Sequence, residues 1–392
     1  MKICIVTTSF KMHFQSTTGG IVYELAKAFR EKGLEIYTVA PHAPQLKERE
    51  IMDGIFVYRF RYAYPSKIEK IAYIGSGIPT TLKKNLIAKL EFPFFLLSFI
   101  YTTIKISKYC DIIHAQWVLS GLIAIISKYL NRKPLVITCR GSDVRGQNTK
   151  LLKLIFDRAD ALISPHPEIT QILKKTNTKT PIYEINNFIN LQKYHPGQIS
   201  LRLFQEFQIN SNTKIITFVG YFSDIKDPLT FIYSIEEVIK NIPQIKYLLV
   251  GDGILRSSIE KYIKQNNLQN FIILAGARDD VPDILRITTI FVALSPIENV
   301  WSNALLEAIA TKVPCIITDA GHSKKIFKDR INAYIIPPKN PKALANAIIE
   351  LIQDQNMRIN ISNNAYKDFI PLFDKNNIIN RHLEIFNDLL KK

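Results

Sequence analysis

Two carboxylates bracket a helix start in the stretch Thr288 to His322, TTIFVALSPIENVWSNALLEAIATKVPCIITDAGH. Glu298 lies in the polar loop Ile297 to Ser302. Glu307 lies in the first turn or so of a helix predicted over Ala304 to Thr311, with Ser302 or Asn303 as its cap. A helix N-terminus presents unpaired N–H groups and the positive end of its dipole, so this one suits a phosphate or diphosphate. An ionised carboxylate only accepts hydrogen bonds, which makes sugar or ribose hydroxyls natural partners of Glu298 and Glu307. Taken singly, each glutamate is ordinary: one a solvated loop acid, the other a favourable charge on a helix dipole. Their pairing around one cap is what points to a site.

The elements around the pair form one βαβ unit. A buried strand, Ile290 to Leu294, breaks at Ser295-Pro296. The loop and helix follow, and a second apolar strand, Pro314 to Thr318, runs into Asp319-Ala320-Gly321. In an open parallel sheet such a loop sits outside the carboxyl ends of the strands, where ligands bind.

This stretch resembles the donor-binding signature of the retaining glycosyltransferases of family 4, which have the GT-B fold. That signature is a Glu, seven residues, a second Glu, a Leu-Leu-Glu-Ala-type helix and a Pro-Val-Ile-type strand. Asn303-Ala304-Leu305-Leu306-Glu307-Ala308 and Pro314-Cys315-Ile316-Ile317-Thr318 carry the likeness. Glu298 and Glu307 are nine apart rather than eight, so either the loop holds one extra residue or Asn299 takes the first acidic position.

The resemblance implies an α/β chain of two doubly wound Rossmann-like domains facing a cleft. Residues 1–194 would be the acceptor-binding domain and 200–374 the nucleotide-sugar domain, with a helix over 375–392 crossing back onto the first. It also implies residue roles. Gly220-Tyr221 and Lys226 fall on a Gly-Arg-Leu, three residues, Lys-Gly pattern, placing Lys226 on the donor phosphates and Tyr221 where an arginine usually stands. The loop Gly276-Ala277-Arg278 would hold the base by main-chain contacts, and Gly19-Gly20 would face the donor. Ser302, Asn303, Ala304 and Glu307 would bind diphosphate and ribose, while Glu298 or Asn299 would orient the sugar. Thr138, Gly141 and Asp143 match a Thr-x-His-Gly-x-Asp pattern in which Arg140 replaces the histidine. Arginine there cannot be a general base, but its fixed donors could hold a phosphate or hydroxyl. His114, near a strand end, and Asp143 fall on the acceptor side.

The implied reaction moves a sugar from a nucleoside diphosphate sugar to an acceptor hydroxyl with retention, in cell-envelope polysaccharide or glycolipid synthesis. No Asp-x-Asp motif is placed to chelate the diphosphate, so metal independence and no cofactor are expected. Two other classes stay open: a GT-B nucleotide-sugar epimerase, and a non-catalytic sugar-nucleotide-binding subunit, which the departures at Arg140 and Tyr221 would suit.

Composition fits this reading. The 392 residues, 47% of them hydrophobic, suffice for two ordinary cores. Cys4, Cys110, Cys139 and Cys315 have no metal-type spacing and read as buried thiols of a reducing cytosol. The N-terminus leads directly into a strand, Ile3 to Thr7, with no secretory signal in view, so a cytoplasmic location is expected. The formal charge is +17, and residues 1–195 carry 28 Lys and Arg against 14 Asp and Glu. That basic half suggests an anionic partner, either membrane phospholipid or a phosphorylated acceptor; nothing reads as a nucleic-acid module. The apolar segment Lys83 to Lys108 is either a core helix or an interfacial one. In the second case Phe94, Phe95, Leu97 and Phe99 would insert and Lys83, Lys84 and Lys89 would meet phosphates, with the chain peripheral on the inner membrane face. Its uncharged run, Phe92 to Ile104, is too short to span a bilayer.

Overall fold

The computed structural model describes residues 1–13, 19–73, 77–141, 143–297, 302–321 and 323–391. The chain divides into two compact units. Unit 1 is Met1–Asn187 with the C-terminal residues from Lys375 onward, and unit 2 is Phe188–Asp374.

Unit 1 is built on eight strands: β1 (Lys2–Thr7), β2 (Glu35–Pro41), β3 (Arg49–Met52), β4 (Ile55–Phe60), β5 (Ile112–Gln116), β6 (Leu135–Thr138), β7 (Ala161–Ser164) and β8 (Ile182–Glu184). Their order is β3-β4-β2-β1-β5-β6-β7-β8. All neighbours are parallel except the edge pair β3–β4. The order reverses between β1 and β5, so the crevice for a ligand lies beyond the carboxyl ends of those two strands. β8 differs from the strand expected over Glu184 to Asn187. It pairs from Ile182 to Glu184, and β7 ends at Ser164 opposite Glu184, so the ladder stops once Ile185 N–H has bonded Ser164 O.

One face of this sheet is covered by α2 (Ile78–Lys84), α3 (Leu86–Ser107), α4 (Val118–Asn131) and α5 (Thr149–Phe156); α1 (Gly20–Glu31) packs against the helix Lys375–Leu390. The segment Lys83 to Lys108 is thus two helices, broken where Asn85 caps α3 by accepting from Ala88 N–H. α3 has 22 residues and is long and apolar enough, by length and composition, to cross a membrane, unlike the shorter uncharged run within it. Its inner face nevertheless packs on the sheet. Phe95 and Phe99 are both 0% exposed against Phe60, with the Phe60 and Phe99 rings stacked at 4.4 Å. This corrects the expectation that they insert into lipid. The outer stripe is different: Leu90, Phe94 and Leu97 are 69%, 63% and 64% exposed. α4 adds exposed Leu122, Ile126 and Leu130, and α5 adds Leu151 and Leu154. Glu91 is the one carboxylate in α2 to α5, and it is buried, accepting from Lys70 N–H.

Unit 2 has a six-stranded, all-parallel sheet in the order β11-β10-β9-β12-β13-β14. The strands are β9 (Lys214–Val219), β10 (Ile245–Val250), β11 (Ile272–Gly276), β12 (Ile290–Ala293), β13 (Cys315–Thr318) and β14 (Tyr334–Ile336). Here the order reverses between β9 and β12. The helix expected over 228–241 is two, Pro228–Tyr233 and Ile235–Asn241. They part at Ser234, whose Oγ bonds back to Phe231 O at 2.8 Å and meets Tyr247 Oη at 3.0 Å, a local bond that competes with the helix ladder.

Candidate donor and anion sites

In unit 2 the topology converges on one place. Strands β9 and β12 are neighbours at the switch point, so the loop Gly220 to Asp227 after β9 and the helix Asn303–Ala310 after β12 rise from the same edge of the sheet. The helix cap is Ser302, whose Oγ accepts from Leu305 N–H at 3.3 Å. Asn303 is therefore the first helical residue, and its N–H and that of Ala304 are the ones a helix cannot satisfy internally. Glu298 and Asn299 lie outside the described residues. Thr318 Oγ1 donates to Ser295 O at 2.6 Å and ties the ends of β12 and β13 together beneath the loop.

The β9 loop is held by close backbone packing. Phe222 N–H donates to Asp252 O, and a Cβ on Gly251 would lie 2.0 Å from Gly220 O. A side chain at Gly251 is therefore impossible, and its φ of +134° is a conformation side chains rarely adopt. Lys226 follows, its N–H bonded to Ser223 O, and its stem passes close to Gly220. Asp227 caps the next helix by accepting from Thr230 N–H and Oγ1. Tyr221, in place of an arginine, is exposed on this rim.

Glu307 is the fifth residue of its helix, one residue deeper than expected, so it is no first-turn dipole charge. Burial raises its pKa from 4.5 to about 7, opposed by a hydrogen bond from Tyr194 and by the Lys193 charge. Tyr194 had no signal in the sequence, being one aromatic in a linker. The side chain of Arg278 is committed elsewhere, which agrees with the expectation that this loop meets the base through its main chain. Four of its five N–H donors are engaged, with Nε and Nη2 on Asp280 and both Nη groups on Glu206, over the Phe207 ring. The main chain of Gly276 to Arg278 remains to meet a ligand.

In unit 1, Gly19 has φ +75°, and a Cβ there would fall 2.4 Å from the backbone of Phe10, so glycine is required by the fold itself. Gly20 has open space around it at the start of α1, which has no side-chain cap. His114 does not reach a ligand: it is 0% exposed, with Nε2 against Thr138 Oγ1 at 2.8 Å and Gln116 Nε2 at 3.0 Å. Burial, then the His382 and Arg140 charges, hold it well below the usual histidine range, so it is neutral. Asp143 is also structural, since its carboxylate accepts from the N–H groups of Val118, Arg140 and Gly141. It fixes the turn that aims Arg140. The Arg140 guanidinium donates through Nε and Nη2 to Gln116 Oε1 and through Nη1 to Asn187 Oδ1, beside the Trp117 ring. Gln116 was not singled out in the sequence, though its place at the carboxyl end of β5, on the face of His114, could have marked it.

Two doubly wound units with ligand-ready loops at their switch points define a GT-B protein. Its full-length similarity is to sucrose-phosphate synthase from Thermosynechococcus elongatus (TM-score 0.79, 18% identity, 100% and 99% of the two chains) and to Anabaena HepE in complex with UDP and glucose (TM-score 0.76, 18% identity, 99% and 100%). The model for glycosyl transferases group 1 matches residues 200–368, and that for glycosyltransferase family 4 matches residues 19–193. The chain belongs to the family 4 glycosyltransferases. It is 25% identical over 312 residues to an Escherichia coli UDP-Gal:alpha-D-GlcNAc-diphosphoundecaprenol alpha-1,3-galactosyltransferase, covering 74% of this chain and 78% of that one. It is 23% identical over 345 residues to the N-acetyl-alpha-D-glucosaminyl L-malate synthase of Bacillus anthracis, covering 82% and 90%.

The raised Glu307 pKa has a testable sign. Below pH 4.5 the carboxyl is neutral folded or unfolded. Between pH 4.5 and about 7 the unfolded chain gives up this proton while the folded one keeps it, so folding loses stability across that window and the loss is complete above it. Glu307→Gln should therefore melt roughly 2–4 °C above the parent at pH 8 and match it near pH 4. Thermal scans across that range check it.

Proposed function

We propose that this chain transfers a sugar from a nucleoside diphosphate sugar to the hydroxyl of a carbohydrate or lipid-linked acceptor, with retention at the anomeric carbon, in cell-envelope polysaccharide or glycolipid synthesis. The reading is carried by one juxtaposition at the β9/β12 switch point: the Lys226 loop on one rim and the N–H groups of Asn303 and Ala304 on the other. As the glycosidic bond breaks, negative charge gathers on the departing diphosphate. A cation and fixed N–H dipoles aimed at it lower the barrier without reorganising. Glu307 accepts from the ribose hydroxyls, Glu298 or Asn299 orients the sugar, and Gly220 and Tyr221 line the rim. The main chain at Arg278 meets the base, and the open backbone at Gly20, beside the fold-required Gly19, faces substrate.

Lys226 and the helix N-terminus supply the positive charge that a metal would otherwise provide. We therefore read the reaction as metal-independent. The donor of the Escherichia coli relative and the UDP bound by HepE make UDP-sugars the first to test.

The same reading puts the chain on the cytoplasmic face of the membrane. The outer side of α3, α4 and α5 offers exposed leucines and Phe94. Around them Lys83, Lys84, Lys89, Lys105, Lys108 and Lys150 make no ion pair among the described residues. Apolar side chains ringed by lysines, with no exposed carboxylate on these helices, suit an anionic lipid interface.

Two outcomes are expected. In a thermal-shift screen of UDP-, GDP- and ADP-sugars, one donor raises stability by about 2.7 kcal/mol at a hundred times its Kd and is slowly hydrolysed. A donor that binds but is neither hydrolysed nor transferred to any acceptor tried would point to a binding subunit, and no stabilisation by any donor would end the reading. In sedimentation, phosphatidylglycerol vesicles carry down the protein and phosphatidylcholine vesicles do not. Leu90→Glu with Leu97→Glu cuts the bound fraction roughly tenfold while leaving the fold intact. Equal binding to both lipids would remove the membrane from the account.

A further inference from the structure

A cation withdrawn from water without a neighbouring anion is costly, so a protein that keeps one usually has an anion to bring to it. Four arginines of unit 1 are not fully exposed: Arg59, Arg61, Arg140 and Arg145. Arg59 pairs with Glu50, Arg61 with Glu48 and Arg145 with Glu168. Arg140 has no carboxylate partner among the described residues. Its acceptors are two neutral carboxamides, Gln116 and Asn187. Asp143, the nearest acid in sequence, has its oxygens turned to three backbone N–H groups.

The geometry of the guanidinium matters as much as its charge. Gln116 Oε1 takes Nε–H and one N–H of Nη2, and Asn187 takes one N–H of Nη1. Of five donors, one on each Nη remains unused. Gln116 cannot swing away, because it is 0% exposed and its Nε2 is held on His114. The fork is therefore rigid, with the Trp117 ring 5.5 Å from its centre. It also stands at the ligand-binding edge of the sheet. Gln116 ends β5 and registers opposite Thr7, the last residue of β1, so Arg140 sits by the switch point. The open N-terminus of α1 at Gly20 rises after the same strand.

We propose that Arg140 anchors an oxyanion subsite in unit 1, where its two free N–H groups bind a carboxylate or phosphate carried by the substrate. The inference rests on the sugar-transfer reading. The anion belongs either to the transferred sugar, as the carboxylate of a uronic acid, or to the acceptor, as a phosphate. Both present two oxygens that the fork can take together. The structural role of Gln116, Asn187 and the buried His114 is then to hold that fork in place.

The test uses the full chain and matched probes: UDP-glucuronate against UDP-glucose, and a water-soluble prenyl diphosphate against the corresponding prenyl alcohol. The parent protein should prefer the charged member of at least one pair, and the responding pair identifies the source of the anion. Arg140→Gln, which removes the charge but keeps a polar group, should lower that preference about tenfold or more while binding the neutral probes within twofold. Arg140→Lys should keep part of the preference, having the charge without the fork. No preference in the parent, or a preference unchanged in a folded Arg140→Gln, overturns the subsite. If Arg140→Gln does not fold, Arg140→Lys decides: an undiminished preference overturns the proposal. Binding of UDP alone separates this from the broader reading. A protein that binds UDP with no preference for the anionic probes has lost only the subsite.

Discussion

A parallel strand cannot return directly to its neighbour, so outside the antiparallel β3–β4 edge of unit 1 the strands of these two sheets are joined by crossovers. That constraint puts the carboxyl ends of the parallel strands, and the N-termini of the helices that follow them, on one edge of each sheet. Where strand order reverses, two adjacent loops leave in opposite directions and open a crevice. In unit 2 the reversal lies between β9 and β12, and it brings the Lys226 loop beside the helix that starts at Asn303. In unit 1 it lies between β1 and β5, beside Gly20 and Arg140. Both chemical sites follow from where the strand order turns.

Much of this was legible in the residues. The strands are short apolar runs, and Ile3 to Thr7, Leu135 to Thr138, Ala161 to Ser164 and Pro314 to Thr318 lie where the pattern put them, within a residue. The cap at Ser302 was one of two open choices, since Asn303 is as good a cap by type; the Leu305 N–H chose Ser302. Other features depended on packing that pattern cannot carry. α3 is apolar nearly all round, so periodicity could not separate Phe95 and Phe99, which meet Phe60, from Phe94 and Leu97, which face out. The Arg278 guanidinium is held by Asp280, two residues on, and by Glu206, 72 residues back, and that second partner could not be read from the local sequence. His114 sits near a strand end in the chain, but its side chain points into the unit.

The two sites handle charge differently. Glu307 is an acid in a place that penalises its ionisation, poised near neutrality with Tyr194 and Lys193 working the other way. Arg140 is a cation whose pKa burial lowers to about 10, still charged at neutral pH, with carboxamides where its fellow arginines have glutamates. Groups left in this condition are more costly to the fold than paired ones, and a function that uses them is the simplest reason to keep them. The lysines around α3 to α5 carry no such burden, because they sit in water beside exposed leucines.

The central claim is that Lys226 and the helix starting at Asn303 stabilise a departing nucleoside diphosphate. The direct measurement is steady-state transfer by Lys226→Ala and by Glu307→Ala, each checked for a native thermal transition, with the donor and acceptor that the parent uses. The account predicts that Lys226→Ala lowers kcat by about a hundredfold or more, as loss of a group that acts on transition-state charge should. It predicts that Glu307→Ala, having lost a donor contact, turns over poorly even at raised donor concentration. Normal turnover by folded Lys226→Ala would contradict the claim and move the site elsewhere.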